Sequence, residues 1–449
     1  MLFSELMQVI NKPASPIFGR FGKSTGKEFG LHRTLCFCVQ HILSNMHLIM
    51  VKNFMIMKKI FLSLLVFPLI LSCSKGFLGD YRSGLTTDRS LKHNGGSGNS
   101  QAGIVTAGEW SDLDHWTWWS LLMTGNEFSD KSGYWGFYLD KRVAVKVSDS
   151  DGIPVPSALV ELKNAEGLVW QARTNNKGEA NCWLGLYDKN QSAKGLSISI
   201  NGIVQPGEPK VMEYVTESKT PEEATSEKFY NKYTVGTSSV AYRADIAFIV
   251  DATGSMGDEI SFLKEDLDYI IKKAASIKGV QLRTAALFYR DEGDEYETRH
   301  SDFSANFETT RKFISEQNAA GGGDYPEAVH TALEESLQKL SWDEKARTRM
   351  AFMILDAPAH NLDEVKESIR KSIHTFAKNG IIIIPVAASG VDKNTEFMLR
   401  FFAAVTGGTY VFITNDSGVG NEHIKASVGK YTVEQLNDLI SRLIVSYTE

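Results

Sequence analysis

Acidic and hydroxyl side chains follow two predicted strands in the C-terminal part of the chain. Asp251, Thr253 and Ser255 come directly after one apolar segment (246–250), and Asp356 comes directly after another. Continuous apolar runs of this kind are typical of parallel strands that are buried on both faces. Because ligands of such sheets bind beyond the carboxyl ends of the strands, we expect these side chains to meet at one edge.

A glycine-rich loop, Gly321-Gly322-Gly323, leads to Asp324 and then into a predicted helix, and we expect it at the same edge. Carboxylates and hydroxyls without thiols form a hard-oxygen site, which suits Mg²⁺ and, less specifically, Mn²⁺ or Ca²⁺. A helix cap is the alternative role for Asp251. The joint spacing with the other acids favours a metal site.

Strands and helices must alternate to position these loops, and residues 241–449 show that order. It predicts an α/β, doubly wound (Rossmann-like) and mainly parallel sheet. Asp251-x-Thr253-x-Ser255 after an apolar strand resembles the metal-ion-dependent adhesion site of von Willebrand factor A (vWA) domains. The resemblance covers residues 241–449.

The resemblance implies a role for each residue of the site. Thr253 and Ser255 would ligate the ion directly, Asp251 directly or through water, and Asp356 would be the later acid. A carboxylate from a partner often completes the coordination in this family. Asp324 departs from the pattern, because the family usually has Thr at that position, and the extra carboxylate makes a metal less electrophilic toward an acidic partner.

Two further segments, 288–291 and 356–360, make the chain similar to the bacterial subgroup related to the vWA domain of alpha-kinases. We expect four residues to surround the metal ligands: Arg290, Asp291, Glu327 and His360. His360 is predicted to be a hydrogen-bonded loop histidine, with metal or water binding as the alternative. The acidic segment 291–297 lacks the full EF-hand spacing, so a solvated turn is favoured over a calcium loop.

Overall composition excludes several classes of function. With 48 basic and 54 acidic residues the formal net charge is -6, and no long basic run occurs, so nucleic acid is not an expected partner. The four cysteines do not show zinc spacing or a disulfide framework.

Residues 57–72 have the pattern of a secretory signal: two lysines, a short apolar run and a small residue before Cys73. The segment 70–73 resembles a bacterial lipobox, which implies lipidation of Cys73, palmitate among the acyl groups, and a place in the cell envelope, with outer-membrane sorting expected. An ordinary cleaved signal is the alternative. Residues 1–56 are then interpreted as a non-native extension before a start near Met57, or else as a cytoplasmic tail.

Between signal and vWA domain we predict four segments. Residues 73–108 are a Gly- and Ser-rich flexible tether, and residues 109–140 are rich in tryptophan, which favours a packed core over a sugar-binding surface. Alternating strands with Gly/Asn/Asp turns in 141–205 predict a small all-β sandwich that resembles carboxypeptidase-regulatory-like domains, and 206–240 is a linker.

These observations predict a multidomain, lipid-anchored envelope protein. Its vWA domain would bind another protein or surface ligand through a divalent metal. The alternatives are a metal-assisted hydrolase at the same site, for which no catalytic constellation is evident, and a purely structural metal.

Overall fold

The computed structural model describes residues 105–125, 128–214, 229–237, 240–275, 277, 279–415 and 425–449. All of them belong to one compact unit, residues 95–449. The predicted N-terminal extension, the signal peptide and Cys73 lie outside the described residues. Within the described ranges, none of the helices has the length and apolarity needed to cross a membrane.

The described residues form strands and helices in both predicted parts of the chain. The strands are β1 (Thr106–Trp110), β2 (Arg142–Ser148), β3 (Leu159–Asn164), β4 (Gly167–Arg173), β5 (Glu179–Trp183), β6 (Ser197–Ile200), β7 (Ile203–Val204), β8 (Asn231–Thr234), β9 (Ala241–Asp251), β10 (Gln281–Tyr289), β11 (Thr298–Ser304), β12 (Ala346–Leu355), β13 (Ile381–Ala387), β14 (Tyr410–Ile413) and β15 (Glu434–Gln435). The α-helices are α1 (Trp116–Thr124), α2 (Lys131–Trp135), α3 (Gly257–Ala275), α4 (Phe307–Ser315), α5 (Val329–Lys339), α6 (Asp363–Asn379), α7 (Lys393–Thr406) and α8 (Leu436–Thr448).

A large sheet organises the C-terminal part, with strand order β11-β10-β9-β12-β13-β14-β1-β15. The five strands from β10 to β14 in this order run parallel. The strands at its two ends pair antiparallel. The structure therefore confirms the predicted mixed α/β domain with a large central sheet.

Strand β9 is buried on both faces, as its apolar sequence predicts. Ile246, Phe248 and Val250 pack in one hydrophobic core with α3 and α8. Ile249 points into another core, which contains α5, α6 and α7. Helices thus cover both faces of the sheet, so only the strand ends and their loops are open to solvent at β9.

Two small sheets are ordered β5-β2-β8 and β4-β3-β6-β7, and all of their strands except β8 lie in the segment predicted as a β-sandwich. Their apolar side chains share one core with α6 and α7 of the larger domain. Strand β8 lies inside the predicted linker (206–240), and β1 begins inside the predicted tether (73–108). Neither strand is predicted from the sequence. Each pairs with a strand far away in the chain, and local sequence patterns do not indicate such pairing.

The tryptophans of the predicted Trp-rich segment contribute to this core. Trp110, Trp116, Trp119 and Trp135 are buried. Trp119 stacks on Phe397 of α7, with ring centroids 5.9 Å apart. These contacts agree with the packed-core interpretation of the segment.

A buried ion cluster joins the N-terminal segment to the central sheet. Arg400 of α7 is fully buried, and its Nε donates to Asp112 Oδ2 over 2.9 Å. Its Nη1 donates to Glu396 Oε1 over 3.2 Å and to the Ser427 carbonyl over 2.8 Å. Because the guanidinium compensates two buried carboxylates, removing it leaves both without their counter-charge.

We predict that Arg400→Met lowers the free energy of unfolding by about 3–5 kcal/mol, since an uncompensated buried charge is strongly destabilising. Arg442→Met is the matched control: Arg442 pairs with Glu109 and Glu434, but its side chain is 45% exposed. That change should cost no more than about 1 kcal/mol. Denaturant unfolding followed by circular dichroism measures both, and equal effects would contradict the assignment.

Candidate metal centre

The candidate centre lies at the carboxyl ends of two neighbouring parallel strands. Asp251 is the last residue of β9, and Asp356 directly follows β12. Val250 and Ile354 are register partners between these strands, so both acids emerge at the same edge of the sheet. The structure therefore brings together the strand-end acids that the sequence predicts to meet.

The turn after β9 positions the first acid and its hydroxyl. The backbone N–H and the hydroxyl of Thr253 donate to Asp251 Oδ1 over 2.8 and 2.7 Å. Asp251 and Thr253 are buried, whereas Ser255 is exposed in the 3-10 turn that follows. The Ser255 side chain lies against Asp356, whose negative form it stabilises. Two hydroxyls and two carboxylates thus converge at this edge.

The glycine-rich loop is held against this turn by backbone hydrogen bonds. Gly254 N donates to Gly321 O over 3.2 Å, and Ala320 N donates to Ala252 O over 3.0 Å. Gly321 and Gly322 have φ of +82° and +71°, a left-handed conformation that favours glycine. A methyl group on Gly322 would lie 3.0 Å from Glu327 Oε1 and 3.3 Å from Thr253 Cβ. This loop therefore places Glu327 beside Thr253.

The two acids of this loop have different surroundings. Asp324 is exposed, whereas Glu327 is only 4% exposed and lies within electrostatic range of Asp251 and Asp356. The Glu327 backbone is fixed by its N–H, which donates to the Pro358 carbonyl over 2.9 Å. Sequence analysis placed Asp324 among the ligands and Glu327 around them; the structure places Glu327 with the other two acids.

Burial and repulsion from nearby carboxylates keep these carboxyl groups from ionising readily. Burial, reinforced by nearby Asp356, raises the pKa of Asp251 to about 7. Burial, reinforced by Asp251, Asp291 and Asp356, raises the pKa of Glu327 to about 9. Burial likewise raises the pKa of Asp356. In their ionised form these groups would therefore carry negative charge that the surrounding protein does not compensate.

Buried oxygens of the same residues lack hydrogen-bond partners of normal geometry among the described residues. They are Asp251 Oδ2, Asp356 Oδ1 and Glu327 Oε2. Such orphaned acceptors are rare in folded proteins, and a cation would satisfy them. The described residues contain no group of three or more His, Cys, Asp or Glu side chains close enough to hold a metal by themselves. The fit to a divalent ion therefore depends on the hydroxyls of Thr253 and Ser255 as additional oxygen donors.

The predicted surrounding residues brace the neighbouring loops. Arg290 Nε donates to Ala252 O over 3.2 Å, and its Nη2 donates to Asn318 O over 3.0 Å. His360 Nε2 lies 2.9 Å from Asp291 Oδ1, so His360 has a hydrogen-bonding partner in the acidic turn. Asp294, in the same turn, accepts from Gly322 N over 2.8 Å.

Two further residues near the site, Glu259 and Tyr289, are not predicted from the sequence. Glu259 is buried in the first turn of α3, and its Oε1 accepts from the Ser389 hydroxyl over 2.9 Å. Its charge acts on Asp356. Tyr289 ends β10 in register with Asp251, and its buried hydroxyl lies near that carboxylate. Tyr289 lies at a strand end and Glu259 in a first helical turn, and these positions were the signal that could have predicted them. Neither residue belongs to a motif with a recognisable spacing.

Comparison with known families identifies the domain. Residues 245–415 match the family model for the von Willebrand factor A domain. The chain contains a von Willebrand factor A domain at these residues. The match ends before α8, and β1 lies outside it, so the central sheet of the structure extends beyond the matched segment.

Two curated proteins are similar to part of this chain. An ariadne-like RING finger protein, R811, of Acanthamoeba polyphaga mimivirus is 28% identical over 199 residues, which are 40% of this chain and 19% of that protein. The alpha-protein kinase vwkA of Dictyostelium discoideum is 25% identical over 208 residues, 46% of this chain and 32% of the kinase. The chain thus spans about a fifth of the length of the viral protein and about a third of the length of the kinase. The names of these relatives describe the whole proteins. The kinase match supports the resemblance to alpha-kinase vWA domains.

Among solved structures, the open conformation of the pilus adhesin SpaC from Lactobacillus rhamnosus GG is similar with a TM-score of 0.32 and 10% identity. The similarity covers 46% of this chain and 30% of the adhesin. At this level the likeness indicates nothing about function.

We predict that the metal-free protein loses stability as the pH rises from about 4 to about 9. The raised pKa values of Asp251 and Glu327 mean that the folded state binds more protons than the unfolded state in this window. The slope is limited to about 1.4 kcal/mol per pH unit for each proton. Thermal melting in EDTA at several pH values measures it, and Asp251→Asn should flatten the curve. A melting temperature that rises over this window would contradict the prediction.

We also predict that Gly321→Ala destabilises the domain by about 1–3 kcal/mol, because its Cβ would overlap the Asp294 carboxylate at a positive φ. Gly323→Ala is the control in the same loop, since a methyl group there meets no atom within 4 Å. It should change stability by less than about 0.5 kcal/mol. Denaturant midpoints of the two variants test whether the loop is fixed as described.

Proposed function

We propose that the vWA domain holds a divalent cation, preferentially Mg²⁺, and uses the site to bind another protein. Asp251, Thr253, Ser255 and Asp356 would hold the ion, with Glu327 as the acid from the third loop. The observation that carries the proposal is the set of buried, unpartnered carboxylate oxygens beside the two hydroxyls. Oxygen donors of this kind suit a hard divalent ion.

The chemistry of such a site follows from its residues. A bound cation would offer an open position to an oxygen atom of the partner. Thr253 and Asp251 are already oriented by their mutual hydrogen bonds, so little rearrangement is needed. Three carboxylates outnumber the two charges of the ion, and we therefore expect the partner's oxygen to be neutral more readily than acidic.

The rim of the site has exposed side chains suited to a protein surface. Tyr325 of the glycine-rich loop is 43% exposed, and its hydroxyl accepts from Asp392 N over 2.9 Å. Leu362, which follows the loop after β12, is 51% exposed. Aromatic and apolar side chains around a polar centre are typical of protein interfaces.

We also propose that a lipid anchor at Cys73 holds the protein in the cell envelope. The lipobox-like segment ending at Cys73 supports lipid anchoring in a bacterial cell envelope, with the outer membrane as the expected site. The two small sheets would act as a carboxypeptidase-regulatory-like platform between the anchor and the vWA domain. Mass spectrometry of the mature N-terminus tests the anchor: an unmodified Cys73 in exported protein would contradict it.

Metal binding is tested by isothermal titration calorimetry with MgCl₂ and by melting in EDTA against Mg²⁺, Mn²⁺ and Ca²⁺. Wild type should bind Mg²⁺ and melt at a higher temperature with it, whereas Asp251→Ala should lose both effects. Glu327→Gln and Asp324→Asn form a matched pair. We expect at least a tenfold weaker affinity in the first and less than a threefold change in the second, because only Glu327 is buried with the other acids. The reverse order would make Asp324 the ligand.

Partner binding is tested separately by capture from cell envelopes in Mg²⁺ or EDTA, with Asp251→Ala as control. A partner retained only by wild type in Mg²⁺ supports the proposal. A metal that stabilises the fold without any metal-dependent capture would favour the structural alternative. Magnesium-dependent hydrolysis of ester or phosphate substrates would favour the hydrolase.

A further inference from the structure

A cleft separate from the candidate metal centre lies where the N-terminal segment, the small sheets and α8 meet. Its volume is about 320 Å³, and its walls include residues 109–111 and 113–115, residues 175–177 and the last turns of α8. This size is within the usual range for small-molecule sites, which occur preferentially where domains meet. None of its lining residues belongs to the candidate metal centre.

Arg142 supplies a buried positive charge to this cleft. Its side chain lines the cleft although the residue is only 4% exposed. Nε donates to Asn181 Oδ1 and Nη1 to Leu113 O, each over 2.7 Å, and the guanidinium lies 5.6 Å from the centre of the Trp116 ring. Among the described residues, Nη2 has no hydrogen-bond partner and no carboxylate forms an ion pair with this guanidinium. A buried guanidinium in this state favours an anionic ligand.

Asn176 supplies a buried acceptor in the same cleft. Its Nδ2 donates to Ser446 O over 2.9 Å, whereas Oδ1 has no partner in the described part of the chain. A buried amide oxygen without a partner is costly, so a donor group on a ligand would stabilise it. The residues that line the cleft thus include one unmatched donor and one unmatched acceptor.

Charges around the cleft limit how much negative charge a ligand can carry. The basic lining residues are Arg142, Lys177, Lys430 and Arg442, and the acidic ones are Glu109, Asp114 and Glu179. These nearly balance, so a polyanion would meet repulsion from the three acids. A ligand with a single negative charge fits better.

We propose that this cleft binds a small monocarboxylate that also carries a hydrogen-bond donor, the class that includes amino acids and hydroxy acids. The carboxylate would lie against Arg142, and the amine or hydroxyl would donate to Asn176 Oδ1.

The test uses matched acids and amides on the whole chain. L-Alanine and L-lactate, each up to 10 mM, are compared with L-alaninamide and L-lactamide by calorimetry and thermal shift. At least one acid should bind and raise the melting temperature, with at least tenfold weaker binding of its amide. Binding should be the same in EDTA and in Mg²⁺, because the cleft and the metal centre share no residue. If neither acid binds, or if each acid that binds does so no more tightly than its amide, the proposal is overturned.

Variants test the assigned contacts. Arg142→Lys should weaken binding of the acid at least tenfold, and unchanged affinity in the folded variant would overturn the assignment. If Arg142→Lys does not fold, the double variant Lys177→Ala/Lys430→Ala decides, since both residues are exposed at the rim. The double variant should weaken binding of the acid about threefold or more. Lys371 has a side chain that is 74% exposed and lies outside the cleft, so Lys371→Ala should leave the affinity unchanged. Equal affinities in these two would also overturn the proposal.

Discussion

Buried negative charge at the ends of β9 and β12 is the constraint on which the functional interpretation depends. Asp251, Asp356 and Glu327 are taken out of water. Beside this burial, Asp356 helps to raise the pKa of Asp251, and both aspartates help to raise the pKa of Glu327. Burying carboxylates in this way is unfavourable unless something compensates them. Here no basic side chain of the described residues forms an ion pair with any of the three, and each keeps an oxygen without a partner. Protons supply that compensation in the metal-free protein, and a divalent cation would supply it better.

The loops that hold these acids are fixed to one another through the backbone. Ala252, Gly254, Ala320 and Gly321 exchange hydrogen bonds across two loops, and Asp294 ties a third loop to Gly322. Because the contacts between the first two loops join main-chain atoms, their geometry depends little on flexible side chains. The arrangement is therefore organised before any ligand arrives, which reduces the entropic cost of binding.

The vWA domain is continuous with the residues before it. Strand β1 adds to the central sheet between β14 and β15, and Arg400 binds Asp112 in the same N-terminal segment. The small sheets share a core with α6 and α7. Residues 105–110 and the two small sheets thus pack against the segment that the family model matches, and the cleft lined by Arg142 lies where they meet.

The sequence by itself determined the α/β order, the buried parallel strands and the Asp251, Thr253 and Ser255 turn, because these follow from apolar periodicity and spacing within short segments. It also predicted that Asp356 lies at the same edge as Asp251, since strand ends of a parallel sheet meet at one edge. The tertiary structure alone decided that Glu327, three residues beyond Asp324, lies near Asp251 and Asp356. That choice depends on the left-handed backbone of Gly321 and Gly322 and on the hydrogen bond from Glu327 N to Pro358 O. Strands β1 and β8 were likewise decided by partners distant in sequence. Local composition does not specify such pairings, because their free energy comes from contacts that form only when the whole chain folds.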